Sequence, residues 1–456
     1  MRRALQVLAL LGVGFALISW EAGRRAEGEL RALVEAMDGE SPISVAVDRY
    51  ERGIFRSHAV TTVAEPEGPF AGAQRVRVRL RHEIDHGPLP LSYLRSEDFD
   101  GTPIVARAAT AATLEREGAE EIEEMALPLS IESLFRRDGS AIVWIVADPE
   151  LAGAGEPAVS GDWEELYAEF AFRYDGSKLS GELEVPRIEV KGEGGAFALH
   201  DLRYVFDYER ISEVGPIYVG ESQVHLGLLR VEAEGEVFEL RGLELRDESG
   251  VEGSTWSVLV QSSFDRLRGG GRTHGPGDVE LRLSGLALEP LAELGELGRR
   301  LESEEAGGEA AGTEVMLAMG ALWPRFMAAE PSFEMPRLRL VTADGELRMA
   351  LRLGVDTSEP MFLAHPMTSL PALEFDAELS LPETLLHRWL ATPRPVMEVG
   401  SEMAPWVAPA EMASQRVAAW LERGYIQRQG ESYALAVRVR KGAIRLNGRV
   451  VSVDQL

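Results

Sequence analysis

Arg75-Val76-Arg77-Val78-Arg79-Leu80-Arg81-His82 sets apolar and basic residues in strict alternation. Successive side chains of a strand point to opposite faces, so this stretch has one apolar face and one arginine face. It predicts a half-buried antiparallel strand. Working outward, period-two patterning begins at Ile43 and returns between Ala141 and about Leu288. It resumes over residues 336–340 and 346–353, two runs joined through Asp344-Gly345, a dipeptide that specifies a hairpin. Closing strands are expected over 426–429, 433–439 and 443–451, the last two turning at Lys441-Gly442. The fold class that follows is mainly β (α+β): extended antiparallel sheets with a few helices, preceded by a single N-terminal transmembrane helix.

Helical patterning is confined to a few places. Leu30, Leu33, Val34 and Met37 recur at helical spacing. Residues 113–137 are acidic and helix-prone before Pro128, which predicts a linker or a solvated helix. Residues 288–330 read as helical, interrupted by the low-complexity segment LESEEAGGEAAG. A last helix over 411–423 meets Gly424, the residue type that closes helices in the left-handed conformation. Phe197-x-Leu199-x-x-Leu202 returns as Phe238-x-Leu240-x-x-Leu243 and, loosely, as Leu281-x-Leu283-x-x-Leu286, at spacings of 41 and 43 residues. Such a period suits repeated long hairpins, although any pair of apolar strands can match it. The expected organisation is an anchor (1–25), a stalk and β region (26–130), a central β-rich region holding the hairpin repeat (131–288), and a helical insertion followed by a C-terminal β region (289–456).

The N-terminus carries ALQVLALLGVGFALISW from Ala4 to Trp20, uncharged throughout. Such a run rises about 26 Å as a helix, slightly less than the roughly 30 Å of hydrocarbon in a bilayer. Arg2, Arg3 and Trp20 are suited to extend its reach into the interfaces. The run ends in Ser19-Trp20-Glu21-Ala22-Gly23 without the small-x-small pattern that signal peptidase requires, so an uncleaved anchor is expected. Arginines stand on both sides of it, and their count does not set its direction. Long acidic domains translocate largely regardless of flanking charge, which places the bulk of the chain outside the cytoplasmic membrane.

Composition narrows the function. The formal charge of −28 repels phosphate backbones, so nucleic acid is not an expected partner. The absence of cysteine removes disulfides, thiolate metal sites and cysteine nucleophiles together. No nucleophile elbow, phosphate loop or dinucleotide fingerprint occurs, and no cofactor is expected. Three segments stand out. They are Tyr50-x-Arg52-Gly53-x-Phe55-x-Ser57, then Asp85-His86-Gly87-Pro88-Leu89-Pro90, then the run from Gly424-Tyr425 to Asn447-Gly448. Together they resemble the YdgA family of bacterial envelope proteins, a family of unknown function. That resemblance implies an inner-membrane anchor with a periplasmic bulk, and it supplies no catalytic residues.

Within these segments, Gly53 is expected to allow a positive φ or a bulge, Phe55 to enter the core, and Arg52 to meet a carboxylate. His86-Gly87-Pro88 reads as a strand-ending turn. His82, Asp85 and His86 are the residues with metal-ligand chemistry in close spacing. On a strand, however, His82 and His86 share one face while Asp85 takes the other. Two functions follow from different classes. One is a non-enzymatic envelope protein of the bacterial cytoplasmic membrane that binds phospholipid or envelope proteins. The alternative is a metal-assisted hydrolase using His82, Asp85 and His86.

Overall fold

Alternation is realised as strands over most of the chain. The computed structural model describes residues 19, 21–28, 30–31, 44–64, 75–87, 90, 92–93, 102–117, 122–147, 161–192, 195–211, 217–233, 235–303, 309–358, 370–391, 394–395, 405–406 and 410–451. The apolar run 4–20 lies outside the described residues except for Ser19. Among the described residues no helix is long and apolar enough to cross a membrane. Two compact units result, residues 1–193 with 198–210, and residues 194–197 with 211–456.

The first unit is an antiparallel meander of β1 (Ser44–Arg52), β2 (Arg56–Ala64), β3 (Arg75–His86), β4 (Ile104–Glu117), β5 (Ile122–Arg136) and β6 (Ser140–Ala147). It continues through β8 (Leu166–Arg173) to β9 (Lys178–Gly192), with the short β7 (Gly161–Trp163) also pairing β9, and β10 (Gly195–Arg210) following. The arginine-alternating stretch forms β3, which runs four residues beyond His82. One cross-strand row reads Ala59, His82, Thr110, Ile131, Ile145, Ala168. On this face Ala59, Ile84, Ala106 and Ala108 form a buried cluster, closed by Ala26 and Leu30 of the N-terminal helix.

Where the expected helix or linker over 113–137 is described, it is mostly strand: residues 113–117 finish β4 and 122–136 form β5. Propensity loses here to tertiary pairing. Arg79 bridges Glu115 at 2.5 Å and Glu124 at 3.7 Å, and Arg81 reaches Glu124 at 3.9 Å. The acidic residues that favour a solvated helix in isolation are counter-charges for the arginine face of β3.

In the second unit β11 (Tyr218–Ala233) pairs β12 (Glu236–Glu252), which pairs the broken strand β13 (Thr255–Phe264) and β14 (Arg266–Gly269). Both halves pair β15 (Arg272–Ala287), and the meander continues through β16 (Ser332–Thr342), β17 (Gly345–Val355) and β18 (Leu373–Pro382). A two-residue pair, β19 (Arg394–Pro395) and β20 (Pro405–Trp406), stands apart. β18 pairs β22 (Ser432–Arg440), which also pairs β21 (Gln427–Gln429), and β23 (Ala443–Leu446) and β24 (Arg449–Val451) close the sheet. The three copies of the apolar repeat fall on β10, β12 and β15.

From β13 to β24 one row is apolar throughout: Val258, Leu283, Phe333, Leu353, Phe375, Val439, Ile444, Val451. The neighbouring row on the opposite face is charged: Arg282, Glu334, Arg352, Asp376, Arg438, Arg445. Among the described residues four α-helices lie along this part of the chain. Leu288–Ser303 and Glu309–Ala328 contribute to a cluster around Leu322, Phe326 and Met327 with Val355. Glu383–Ala391 and Ala410–Glu422 pack through Leu386, Leu390, Ala413 and Val417 against Ile426 and Tyr433. Gly424 ends the last helix at a φ of +75°, and its N–H donates to the Leu421 carbonyl at 3.0 Å.

Candidate functional site

The motif residues converge on a helix. Ser19, Ala22, Gly23, Ala26 and Leu30 recur at helical spacing and form a stripe of mostly small side chains, with Arg24, Arg25 and Arg31 exposed opposite. Small residues let the helix approach the sheet closely. A β-carbon on Gly23 would lie 2.5 Å from Cε1 of His86, and one on Gly87 would lie 2.6 Å from the Ser19 hydroxyl oxygen. Gly87 also adopts a φ of +137° as the chain leaves β3. Sequence reading by large apolar residues placed the helical segment at 27–37 and missed this stripe; its small-residue periodicity was the available signal.

His86 sits at the centre of the contact, 2% exposed. Its Nδ1 meets the Ser19 carbonyl at 2.9 Å, and its Nε2 meets the hydroxyl of the fully buried Ser57 at 2.9 Å. A carbonyl only accepts, so Nδ1 carries the proton and Nε2 accepts from Ser57. Burial, with Arg52 nearby, lowers the His86 pKa and keeps the ring neutral, against the opposing pull of the Ser19 carbonyl and Asp85. The Tyr50 hydroxyl donates to the Gly23 carbonyl at 3.4 Å. Arg52 finds its carboxylate on the helix, Nη1 to Glu27 Oε2 at 3.6 Å. Two sequence signatures distant in the chain thus form one clamp on residues 19–31.

Other motif residues differ from expectation. Phe55 stays out of the core, 50% exposed beside Ile54 at 53%, because it lies in the turn between β1 and β2. Gly53 is not left-handed; its N–H donates to the Arg56 carbonyl at 3.0 Å and closes that turn. Asp85 points to the opposite face, where Arg56 grips it through Nε at 2.6 Å and Nη2 at 3.3 Å. Burial opposes ionisation of Asp85, yet Arg56 holds its carboxyl below the usual carboxylate range. Pro88 lies outside the described residues.

His82 is committed as well, with Nε2 at 2.8 Å from the Thr61 hydroxyl and Nδ1 at 2.8 Å from the Thr110 hydroxyl. Desolvation pushes its pKa down to about 4. His82 and His86 are separated by roughly 13 Å of extended strand, and Asp85 faces away from both. These three side chains do not converge, and among the described residues no group of three or more His, Asp or Glu side chains could hold a metal ion. The metal-assisted hydrolase finds no constellation here.

The third signature is a staple. Asn447 adopts a φ of +48° between β23 and β24. Its amide donates to the carbonyls of Gly424 at 3.0 Å and Tyr425 at 2.9 Å, and its oxygen accepts the Ala436 N–H at 2.8 Å. The helix end and the closing strands are thereby joined.

Above that staple, the apolar face of β16, β17, β18 and β22 meets the helices Glu383–Ala391 and Ala410–Glu422 around a cavity of about 580 Å³. Leu340, Leu347, Leu381 and Leu435 line it from the strands, and Leu385, Trp389 and Trp420 from the helices. Glu383–Ala391 is held in place at both ends. Arg388 pairs with Asp344 of the hairpin turn, the Thr384 hydroxyl donates to the Asp344 carbonyl at 3.3 Å, and the Glu383 N–H donates to the Glu431 carbonyl at 3.0 Å. A second space of about 600 Å³ is lined by charged and polar side chains, among them Arg337, Arg339, Glu346, Arg348 and Gln427, and its arginines are neutralised in place: Arg337 by Asp278, Arg339 and Arg348 by Glu346.

Comparison with curated proteins and with solved structures gives no match. The family model described as a bacterial protein of unknown function, DUF945, matches residues 1–454. The chain belongs to this bacterial family.

Proposed function

We propose that the protein is an anchored envelope protein whose C-terminal β unit binds an apolar ligand, its bulk lying outside the cytoplasmic membrane. The observation that carries this reading is the cavity. Packed interiors contain few voids larger than a water molecule. A space of about 580 Å³ lined almost wholly by Leu, Ile, Trp and Ala falls instead in the range of ligand pockets, roughly 300–1,000 Å³. Its concavity favours a small molecule over a protein surface. Anchoring is supported by the apolar run 4–20 and by the clamp, which grips Ser19 at the end of that run and Gly23 just after it. Exposed Trp389, 55% accessible at the cavity, gives the site an apolar rim.

Titration with saturated acyl chains of increasing length, followed through Trp389 and Trp420 emission, tests the reading. Affinity is expected to rise about fourfold per added methylene until the cavity is filled. Emission that never shifts, or affinity independent of chain length, overturns it.

A further inference from the structure

The cavity is apolar except at three side chains, His274, Thr342 and Tyr433. Two of these have partners within the fold. The Thr342 hydroxyl donates to the Gly345 carbonyl at 2.9 Å and accepts the Asp344 N–H at 3.1 Å. The Tyr433 hydroxyl bonds the Glu383 carboxylate. His274 is different: among the described residues it is the one lining residue with a buried side-chain atom, Nδ1, that has no hydrogen-bond partner. A polar atom that has left water and found no partner costs free energy, and a ligand that supplies the missing bond recovers it.

The backbone accounts for the ring's position. His274 pairs with Leu267 of β14 and Thr342 of β16, and the β15–β16 register then shifts between His274 and Gly277. Such irregularities re-aim side chains at functional sites. No lysine or arginine lines the cavity, so a phosphate or sulfate group would find no counter-charge there. An imidazole offers one N–H and one lone pair, enough for a single oxygen.

We propose that His274 reads the polar end of the ligand, and that the cavity accepts an acyl chain whose carbonyl oxygen, in an ester or a protonated carboxyl group, takes a hydrogen bond from the imidazole. This inference rests on the apolar-ligand reading above and adds to it the chemistry at one atom. Free fatty acid and the acyl chain of a glycerolipid share that chemistry.

The test uses full-length protein in one defined detergent and three brominated sixteen-carbon probes: the carboxylic acid, its methyl ester and the plain hydrocarbon. Quenching of tryptophan emission reports binding. Wild-type protein is expected to take the acid, the ester or both about tenfold more tightly than the hydrocarbon. His274→Phe should abolish that preference and leave hydrocarbon binding intact, whereas His274→Gln, which keeps a donor, should retain it. Acid bound above ester identifies free fatty acid as the source; equal binding identifies an esterified chain. Hydrocarbon bound as tightly as acid and ester by wild-type protein overturns the role of His274 and leaves the apolar site standing. Preference surviving in His274→Phe, or all three ligands lost together from a folded His274→Phe protein, overturns it equally. Wild-type protein that binds none of the three overturns the apolar-ligand reading itself.

Discussion

His86 and Gly23 show how one contact can account for a sequence signature. The imidazole lies where a β-carbon on Gly23 would have to be, and both ring nitrogens are spent on Ser19 and Ser57. Gly23→Val should push the helix off the sheet. The amides of residues 21–31 are then expected to exchange with deuterium far faster than in the wild type; unchanged exchange would remove the clamp. His86→Leu removes the imidazole's bonds to the buried Ser57 hydroxyl and the Ser19 carbonyl, and a loss of about 1–3 kcal/mol is expected in denaturant unfolding. His82 makes a pH-dependent contribution. Its folded pKa of about 4 lies below the ordinary 6.5, so the unfolded chain takes up the proton first. Stability from this residue is complete above about pH 6.5 and falls away as pH drops toward 4, by at most about 3 kcal/mol. His82→Gln should flatten that part of the stability profile relative to wild type, and parallel profiles would refute the assignment. At this scale the sequence identified which residues matter but not what they touch. Spacing separated His82 and His86 from Asp85 correctly, yet nothing local in His86-Gly87 announces a helix whose residues lie some sixty positions earlier.

Elements were legible where two local signals agreed. Alternation plus Asp344-Gly345 specified the hairpin of β16 and β17, and apolar periodicity plus Gly424 specified the helix Ala410–Glu422. Residues 113–137 were misread because their acidic composition is decided by Arg79 and Arg81 across the sheet, a long-range pairing that no window of sequence contains. Phe55 was misplaced for a similar reason, since alternation does not reveal where a strand stops and a turn begins. Asn447 belongs to this scale, as it ties the end of a helix to two strands. Asn447→Ala removes the bonds to Gly424, Tyr425 and Ala436, and a fall of about 2–3 kcal/mol in unfolding free energy is expected. A change within about 0.5 kcal/mol, the range of ordinary surface substitutions, would show that the closing strands hold without it.

At the scale of the whole molecule, three features combine: an apolar N-terminal run, a clamp on its end and the residues after it, and an acidic β structure with a large apolar cavity in its C-terminal part. On the proposed reading, the run and the charge contribute to location separately. Full-length protein is expected to stay with membranes through an alkaline carbonate wash, while deletion of residues 4–18 should release it. The released protein should ignore anionic vesicles, because the intact chain's formal charge of −28 repels them and the deleted run is uncharged. Release of the full-length chain by carbonate would contradict the anchor. The ligand reading is tested most directly by native mass spectrometry, with lipid extraction, on full-length protein purified from membranes in mild detergent. Wild-type protein should carry an acyl-chain ligand, and Leu379→Trp, which fills the cavity from β18, should lack it while keeping its β-sheet circular dichroism. A wild-type protein of bare polypeptide mass, or a Leu379→Trp protein carrying the same lipid as wild type, would contradict an apolar ligand at this site.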